Sequence, residues 1–151
     1  MTDTLPEADS LARVVLHSEV QQFYARHMQL LDAGRADEWA LTFTEDGVFA
    51  PEHRPEPVTG RAALTAAVAG AHAALVEQGE VRRHWHGMLD VTQNDDGTVA
   101  VRCYALIVGT PLGGETRVVM SCVCEDLLVR EDGELKVKHR RVTKDGVAAP
   151  V

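Results

Sequence analysis

Basic residues are in short supply in this chain: 15 Lys and Arg stand against 23 Asp and Glu, a formal charge of −8. That balance argues against a phosphate-backbone binder, which needs clustered cations, and disfavours an anionic membrane surface. No apolar run approaches the ~20 residues needed to span a bilayer. The opening Met1-Thr2-Asp3-Thr4-Leu5-Pro6-Glu7 lacks the basic and apolar regions of a secretory leader. Cysteine is limited to three residues, an odd number, and Cys122 and Cys124 fall on one strand face, where they do not easily pair. Reduced thiols in a cytoplasmic protein are therefore the expectation. There is also no G-x-S-x-G elbow, P-loop or dinucleotide fingerprint, and no internal repeat or low-complexity segment.

The 151 residues, 45% hydrophobic and 25% charged, suit one soluble domain with a real core. Residues 1 to 9 read as a tail and 10 to 147 as the domain. Asp9 and Ser10 are N-cap candidates for a helix whose stripe is Leu16, Val20, Phe23, His27 and Leu31, closed by Gly34. Asp37 can cap a short second helix carrying Trp39, Ala40 and Phe43, and Asp46-Gly47 turns into a short strand over 48–50. Pro51, Pro55 and Pro57 predict a loop over 51–58. Thr59 then caps a third helix with Leu64, Val68, Ala71 and Leu75 on its buried side, ended by Gly79. Its many alanines predict close packing on a sheet. Four strands follow at about 81–92, 98–110, 116–130 and 134–143, separated by hairpin chemistry such as Asn94-Asp95-Asp96-Gly97 and Glu131-Asp132-Gly133. The order predicts an α+β domain with three helices on a curved, mainly antiparallel sheet that forms a cone around a cavity.

Alternation along the first long strand places Arg82, His84, His86 and Met88 on one face, and Arg83, Trp85 and Leu89 on the other. Two imidazoles on one face can serve proton transfer, bind a metal, or wall a pocket. On the last strand the inward face reads Leu135, Val137, His139 and Arg141, with Lys136, Lys138 and Arg140 solvated. The His84–His86 pair with His139 is a possible metal site, but neither a carboxylate nor a third ligand stands at diagnostic spacing, so no metal or other cofactor is expected. Tyr104 reads as a hydrogen-bond donor to a developing enolate or as ordinary packing. Its strand is apolar on both faces, so Cys103 is the alternative inward residue. Tyr24, Trp39, Phe49, Met120, Cys122 and Cys124 would line a pocket for a flat aromatic ligand or, more blandly, fill a core. His27 belongs to the helical stripe, as a buried polar group or a cavity group. His17, His53 and His72 read as surface or loop positions, with His53 near a cavity mouth. Glu125, Asp126 and Arg130 read as strand-edge charges, and Cys122 has no basic partner to make it a nucleophile.

The run Leu30-Leu31-Asp32-Ala33-Gly34 through Trp39 and Phe43 to Glu45-Asp46-Gly47-Val48-Phe49 resembles the nuclear transport factor 2-like superfamily. So do Gly60-Arg61-Ala62-Ala63-Leu64 and Arg83-His84-Trp85-His86-Gly87, the latter in the manner of SnoaL-like proteins and scytalone dehydratase. The resemblance implies an Asp at the end of the first helix that orients a His on the first long strand, and Asp32 and His84 match those positions. It also places the dehydratase's second His near Tyr104 and its tyrosine at Leu31, so one hydroxyl is missing. Ketosteroid isomerase fits worse, since its base falls at about Pro51 and its helix tyrosine near Met28. An Asp–His dyad fixes the imidazole tautomer and stabilises the imidazolium, giving a general acid or base without a cofactor. The bland reading is a helix-end Asp and a hydrogen-bonded core His.

Together these imply a cofactor-free enzyme that dehydrates, cyclises or isomerises a small apolar or aromatic, polyketide-type substrate. The catalytic residues would be Asp32, His84 and Tyr104. The pocket would be Tyr24, His27, Trp39, Phe49, His86, Met120, Cys122, Cys124 and His139. No nucleic-acid or membrane partner is expected, and the family implies a homodimer through the open sheet face. The alternative is a non-catalytic ligand-binding or assembly module of the same fold, with the cone filled by side chains.

Overall fold

A computed structural model describes residues 7–147. Helix α1 runs from Glu7 to Asp32. Val20, Tyr24, His27 and Met28 recur at helical spacing on its buried face, with Leu16, Phe23 and Leu31 packed beside them. The helix includes Asp9 and Ser10 instead of starting after them, so the part of the expected tail over 1–6 lies outside the described residues. Gly34 closes the helix at φ +71°, a left-handed conformation that glycine adopts without strain, and a Cβ there would strike the His72 ring. Helix α2, Ala36–Ala40, follows with no side-chain cap bond, so Asp37 lies inside it.

Strand β1 is longer than expected, Phe43–Pro51, and takes Phe43 out of the short helix. It has an irregular register between Phe43 and Val48, where Gly47 folds against the Phe43 side chain. Pro51 is tolerated because it ends the strand, beyond the two-residue strand β2, Val58–Thr59, that pairs with Val48 and Phe49. Thr59 is thus a strand residue, and Gly60 takes the N-cap place of α3, Arg61–Gln78. Gly79 ends α3 in the left-handed conformation.

Strands β3 (Glu80–Gln93), β4 (Val99–Pro111), β5 (Arg117–Glu131) and β6 (Glu134–Lys144) form an antiparallel meander. Asp132 and Gly133 both have positive φ, as the tight β5–β6 hairpin requires. β1 lies parallel to β6, giving the sheet order β2-β1-β6-β5-β4-β3. The fold is α+β, with helices on a curved six-stranded sheet. Of the three helices, only α1 and α2 precede the sheet in the chain; α3 follows β2.

Two bulges decide which side chains face inward. Between Gly87 and Asp90 the β3 register slips, and Met88 at φ +55° turns outward, 79% exposed. Leu89 and Val91 take the inner face instead, the reverse of simple alternation for Met88 and Leu89. On β6, Val137 pairs with Leu128 while His139 pairs with Leu127, so Lys138 is the extra residue. Beyond it the faces exchange: Arg140 and Val142 are buried, whereas His139 and Arg141 are exposed.

The main core joins Val20, Trp39, Phe43, Leu64, Val99, Leu128 and Val137. A second cluster, Cys103, Ala105, Cys122, Cys124 and Val142, lies nearer the open end, with Phe49, Ile107 and Met120 against it. Among the described residues no helix is long and apolar enough to cross a membrane.

Candidate active site

Asp32 is the last residue of α1, and His84 is the fifth residue of β3. Docking of α1 on β3 brings them together although they are 52 positions apart. The His84 ring Nδ1 is 2.6 Å from Asp32 Oδ1, and the His84 backbone N–H donates to Oδ2 at 3.1 Å. A carboxylate oxygen accepts, so Nδ1 is the nitrogen that donates to Asp32, and in the neutral tautomer this leaves the lone pair on Nε2. The two bonds hold ring and backbone of one residue against one carboxylate, which fixes the imidazole orientation.

Both residues line a cavity of about 770 Å³ between the helices and the sheet. Its walls are largely apolar. From the helices come Met28, Leu31, Leu64, Val68 and Leu75; from the sheet come Phe49, Ile107 and Met120. The cone is hollow, not filled. Ala67, Ala71 and Ala74 of α3 also line it, so at those positions the helix presents small side chains to open space and not to the sheet.

A model of the SnoaL-like domain matches residues 12–141. The chain belongs to the SnoaL-like family. This SnoaL-like domain is 34% identical to ActVI-ORFA from Streptomyces coelicolor, with a TM-score of 0.81 over 87% of this chain and 98% of that one. A protein from Catenulispora acidiphila in complex with S-DNPA is 37% identical, with a TM-score of 0.78 over 87% and 95%. An NTF2-like protein with a cystatin-like fold from Novosphingobium aromaticivorans, 24% identical, superposes with a TM-score of 0.79 over 99% and 95% and shows the same fold. The search of curated proteins gave no match.

Of the residues expected at the site of this SnoaL-like domain, Asp32, Trp39, Phe49, His84, His86, Met120, Cys122 and Cys124 line the cavity. His53 does too, and so does His72, which was expected at the surface. Tyr104 does not. Val101, Cys103 and Ala105 hold the inner face of β4, and Tyr104 points outward, 49% exposed, with the Arg102 guanidinium 5.8 Å from its ring. A strand apolar on both faces concealed that register. His139 is likewise displaced to the exterior by the β6 bulge, so it neither lines the pocket nor joins a histidine cluster.

Tyr24 and His27 lie behind the cavity wall, in a buried polar network that sequence reasoning missed. Arg140, 2% exposed, clasps Asp126 through Nε to Oδ1 at 2.8 Å and its terminal nitrogen to Oδ2 at 2.6 Å. The Tyr24 hydroxyl donates to Asp126 Oδ2 at 2.6 Å, and Arg140 donates to His27 Nε2 at 2.8 Å. Arginine cannot accept, so His27 must carry its proton on Nδ1, which donates to Thr42 Oγ1 at 2.6 Å; Thr42 in turn donates to the Trp39 carbonyl. Burial first, then the Arg140 charge, pushes the His27 pKa well down, so the ring is neutral. Burial lowers the Arg140 pKa, but Asp126 more than offsets it, and the guanidinium remains charged. Burial and the Asp126 charge push the Tyr24 phenol well up. One signal pointed to this network. Asp126 follows Cys122 and Cys124 at the two-residue period of the inner face, and a carboxylate there needs a buried cation.

His86 faces the cavity beside His84. Burial, followed by the charges of Arg140 and His84, pulls its pKa down to about 2, so it is neutral and cannot act as an acid near neutral pH. Of the two cavity imidazoles, His84 is the one bonded to a carboxylate. Among the described residues, Trp39 Nε1 is a buried side-chain donor with no hydrogen-bond partner, on a residue that lines the cavity.

Proposed function

We propose that the chain is a general acid–base enzyme acting on a small, largely apolar or aromatic substrate of the polyketide type. The reaction class is dehydration, cyclisation or isomerisation. The observation that carries this reading is the Asp32–His84 pair opening onto an apolar cavity of about 770 Å³. That volume falls in the ordinary range for small-molecule sites.

In this scheme His84 Nε2 takes a proton from carbon alpha to a substrate carbonyl, and Asp32 stabilises the imidazolium that forms. The enolate oxygen requires a hydrogen-bond donor on the wall. In a dehydration the imidazolium returns its proton to the departing hydroxyl, which leaves as water. In an isomerisation it returns the proton to a different carbon. The dyad itself calls for no cofactor. Tyr104 has no part in this scheme.

The test is a panel of β-hydroxy ketones and hydroxylated polyketide-type aromatics, followed by mass for loss of water and by absorbance for new conjugation. The unsubstituted protein should convert at least one member. His84→Ala should bind that member but not turn it over. Equal turnover by His84→Ala would refute the mechanism, and binding without turnover by the unsubstituted protein would leave a ligand-binding module.

We also infer a homodimer through the outer face of β3 and β4. Trp85 is 69% exposed and pairs across the strands with Leu106, two residue positions from the Tyr104–Gly87 pair. Val81, Tyr104 and Leu106 are exposed on the same face, with Arg83 and Arg102 among them, while exposed Lys138 lies on β6, separated from β4 by β5.

A further inference from the structure

Three ligating side chains from neighbouring strands converge at the cavity floor, apart from the Asp32–His84 dyad. They are His86 on β3, Cys103 on β4 and Cys124 on β5. Cys103 and Cys124 are directly opposed across the strands, and His86 pairs with Ala105, two residues along from Cys103 on the same face. His86 Nδ1 is 3.6 Å from Cys103 Sγ, and one ligating atom from each of the three falls within 4.8 Å of the other two. Tetrahedral zinc, with Zn–S of ~2.3 Å and Zn–N of ~2.0 Å, requires ligand atoms roughly 3.5–3.8 Å apart. The His86–Cys103 spacing already meets that requirement, and small side-chain rotations close the rest.

The electrostatic setting is compatible with a cation despite the nearby guanidinium. Asp126 is bonded to Arg140 at 2.6 Å, so that pair carries no net charge. Two thiolates and a neutral imidazole around a divalent ion also sum to zero, which a buried floor tolerates. His86 already holds its ring in the neutral, ligating form. Cys122 is outside the cluster, and burial pushes its thiol up to about 11.

We propose that His86, Cys103 and Cys124 bind one Zn²⁺, with a fourth coordination position facing the cavity. His86 and Cys124 both line that cavity, whereas Cys103 closes the site from behind. Binding exchanges the two thiol protons for the ion and releases them to solvent; no electron is transferred. The site is independent of the acid–base reading, since neither Asp32 nor His84 is a ligand.

The experiment is titration of the reduced, metal-free full-length protein with Co²⁺ under anaerobic conditions. The expected result is a near-ultraviolet thiolate-to-cobalt band with the visible bands of four-coordinate geometry. These should saturate at one equivalent and be displaced by one equivalent of Zn²⁺. Cys103→Ser and Cys124→Ser should each remove the charge-transfer band of the pair or shift it to single-thiolate intensity, and Cys122→Ser should keep it. No thiolate band in the unsubstituted protein, or a full band surviving in the Cys103→Ser/Cys124→Ser double variant, would overturn the site. Cadmium-113 resonance on the unsubstituted protein gives the sulfur count without any substitution. A shift for two sulfurs and a nitrogen supports the site, and one for oxygen and nitrogen alone overturns it.

Discussion

Replacing Asp32 with Asn keeps the size of the side chain and removes most of its ability to hold His84 in the right tautomer. The carboxylate accepts from the His84 ring at 2.6 Å and from the His84 backbone N–H at 3.1 Å. An amide has one accepting oxygen. If that oxygen faces the backbone N–H, the amide NH₂ faces Nδ1, which must then accept, and the ring proton moves to Nε2. The cavity would meet a donor where it needs a base. If the amide is flipped, its NH₂ opposes the backbone N–H and the pair repels. Either way the base is lost or displaced, and the imidazolium loses its counter-charge. A positioned acid–base group contributes roughly 10²- to 10⁴-fold, equivalent to about 3–5.5 kcal/mol of activation free energy. Stability should fall less. Losing a hydrogen bond to a charged acceptor costs about 1.5–3 kcal/mol, and removing a negative charge from a helix C-terminus returns about 0.3–1 kcal/mol. The assay is kcat/KM on the substrate identified by the panel, with urea denaturation and nitrogen-15 spectra of the His84 ring. Turnover above a tenth of the unsubstituted value, with the ring tautomer unchanged, would refute the role given to Asp32.

Three further outcomes follow from the geometry. Arg140→Met strands Asp126 in the interior with Tyr24 as its remaining donor, so urea denaturation should show a loss of about 3–5 kcal/mol. Pairing it with Asp126→Leu should recover much of that loss, and a single-variant cost below about 1 kcal/mol would show that the pair is not coupled. His27 is held neutral, with a folded pKa below its ordinary 6.5. Below pH 6.5 the unfolded chain binds a proton that the native ring refuses, so stability falls as pH drops, by at most about 1.4 kcal/mol per pH unit, and is unaffected above that value. His86 is held neutral as well, so His27→Gln should remove about half of the combined slope between pH 6.5 and 5, and an unchanged slope would place the titration elsewhere. Trp85→Asp should convert the dimer to a monomer in light scattering while leaving the melting of the fold intact; an unchanged mass would move the interface off this face.

Much of the site was legible because it obeys local rules. The stripe on α1 led to a helix end at Asp32, and hairpin residues bounded β3 closely enough to put His84 and His86 on its inner face. What escaped depended on single-residue irregularities. The extra residue Lys138 turns His139 out and Arg140 in, and nothing in a Lys-Val-Lys-His-Arg-Arg run marks which residue is the bulge. Met88 was misplaced for the same reason. Tyr104 was ambiguous because both β4 faces are apolar, so hydrophobicity could not choose between it and Cys103. The Arg140–Asp126 pair required knowing which strands are neighbours, a long-range fact that alternation within one strand does not contain. Asp126 was the clue that could have been used, because its spacing from Cys124 already pointed inward.

The alanines of α3 divide the labour within this fold. The Asp32–His84 pair comes from α1 and β3, whereas Ala67, Ala71 and Ala74 belong to α3, which supplies neither residue. Enlarging one of those methyls would reshape the chamber without altering the dyad, and a relative could exchange one guest for another while the reactive centre stays as it is. Cavity shape and the carboxylate–imidazole pair can therefore diverge separately, because they are carried by different elements of the chain.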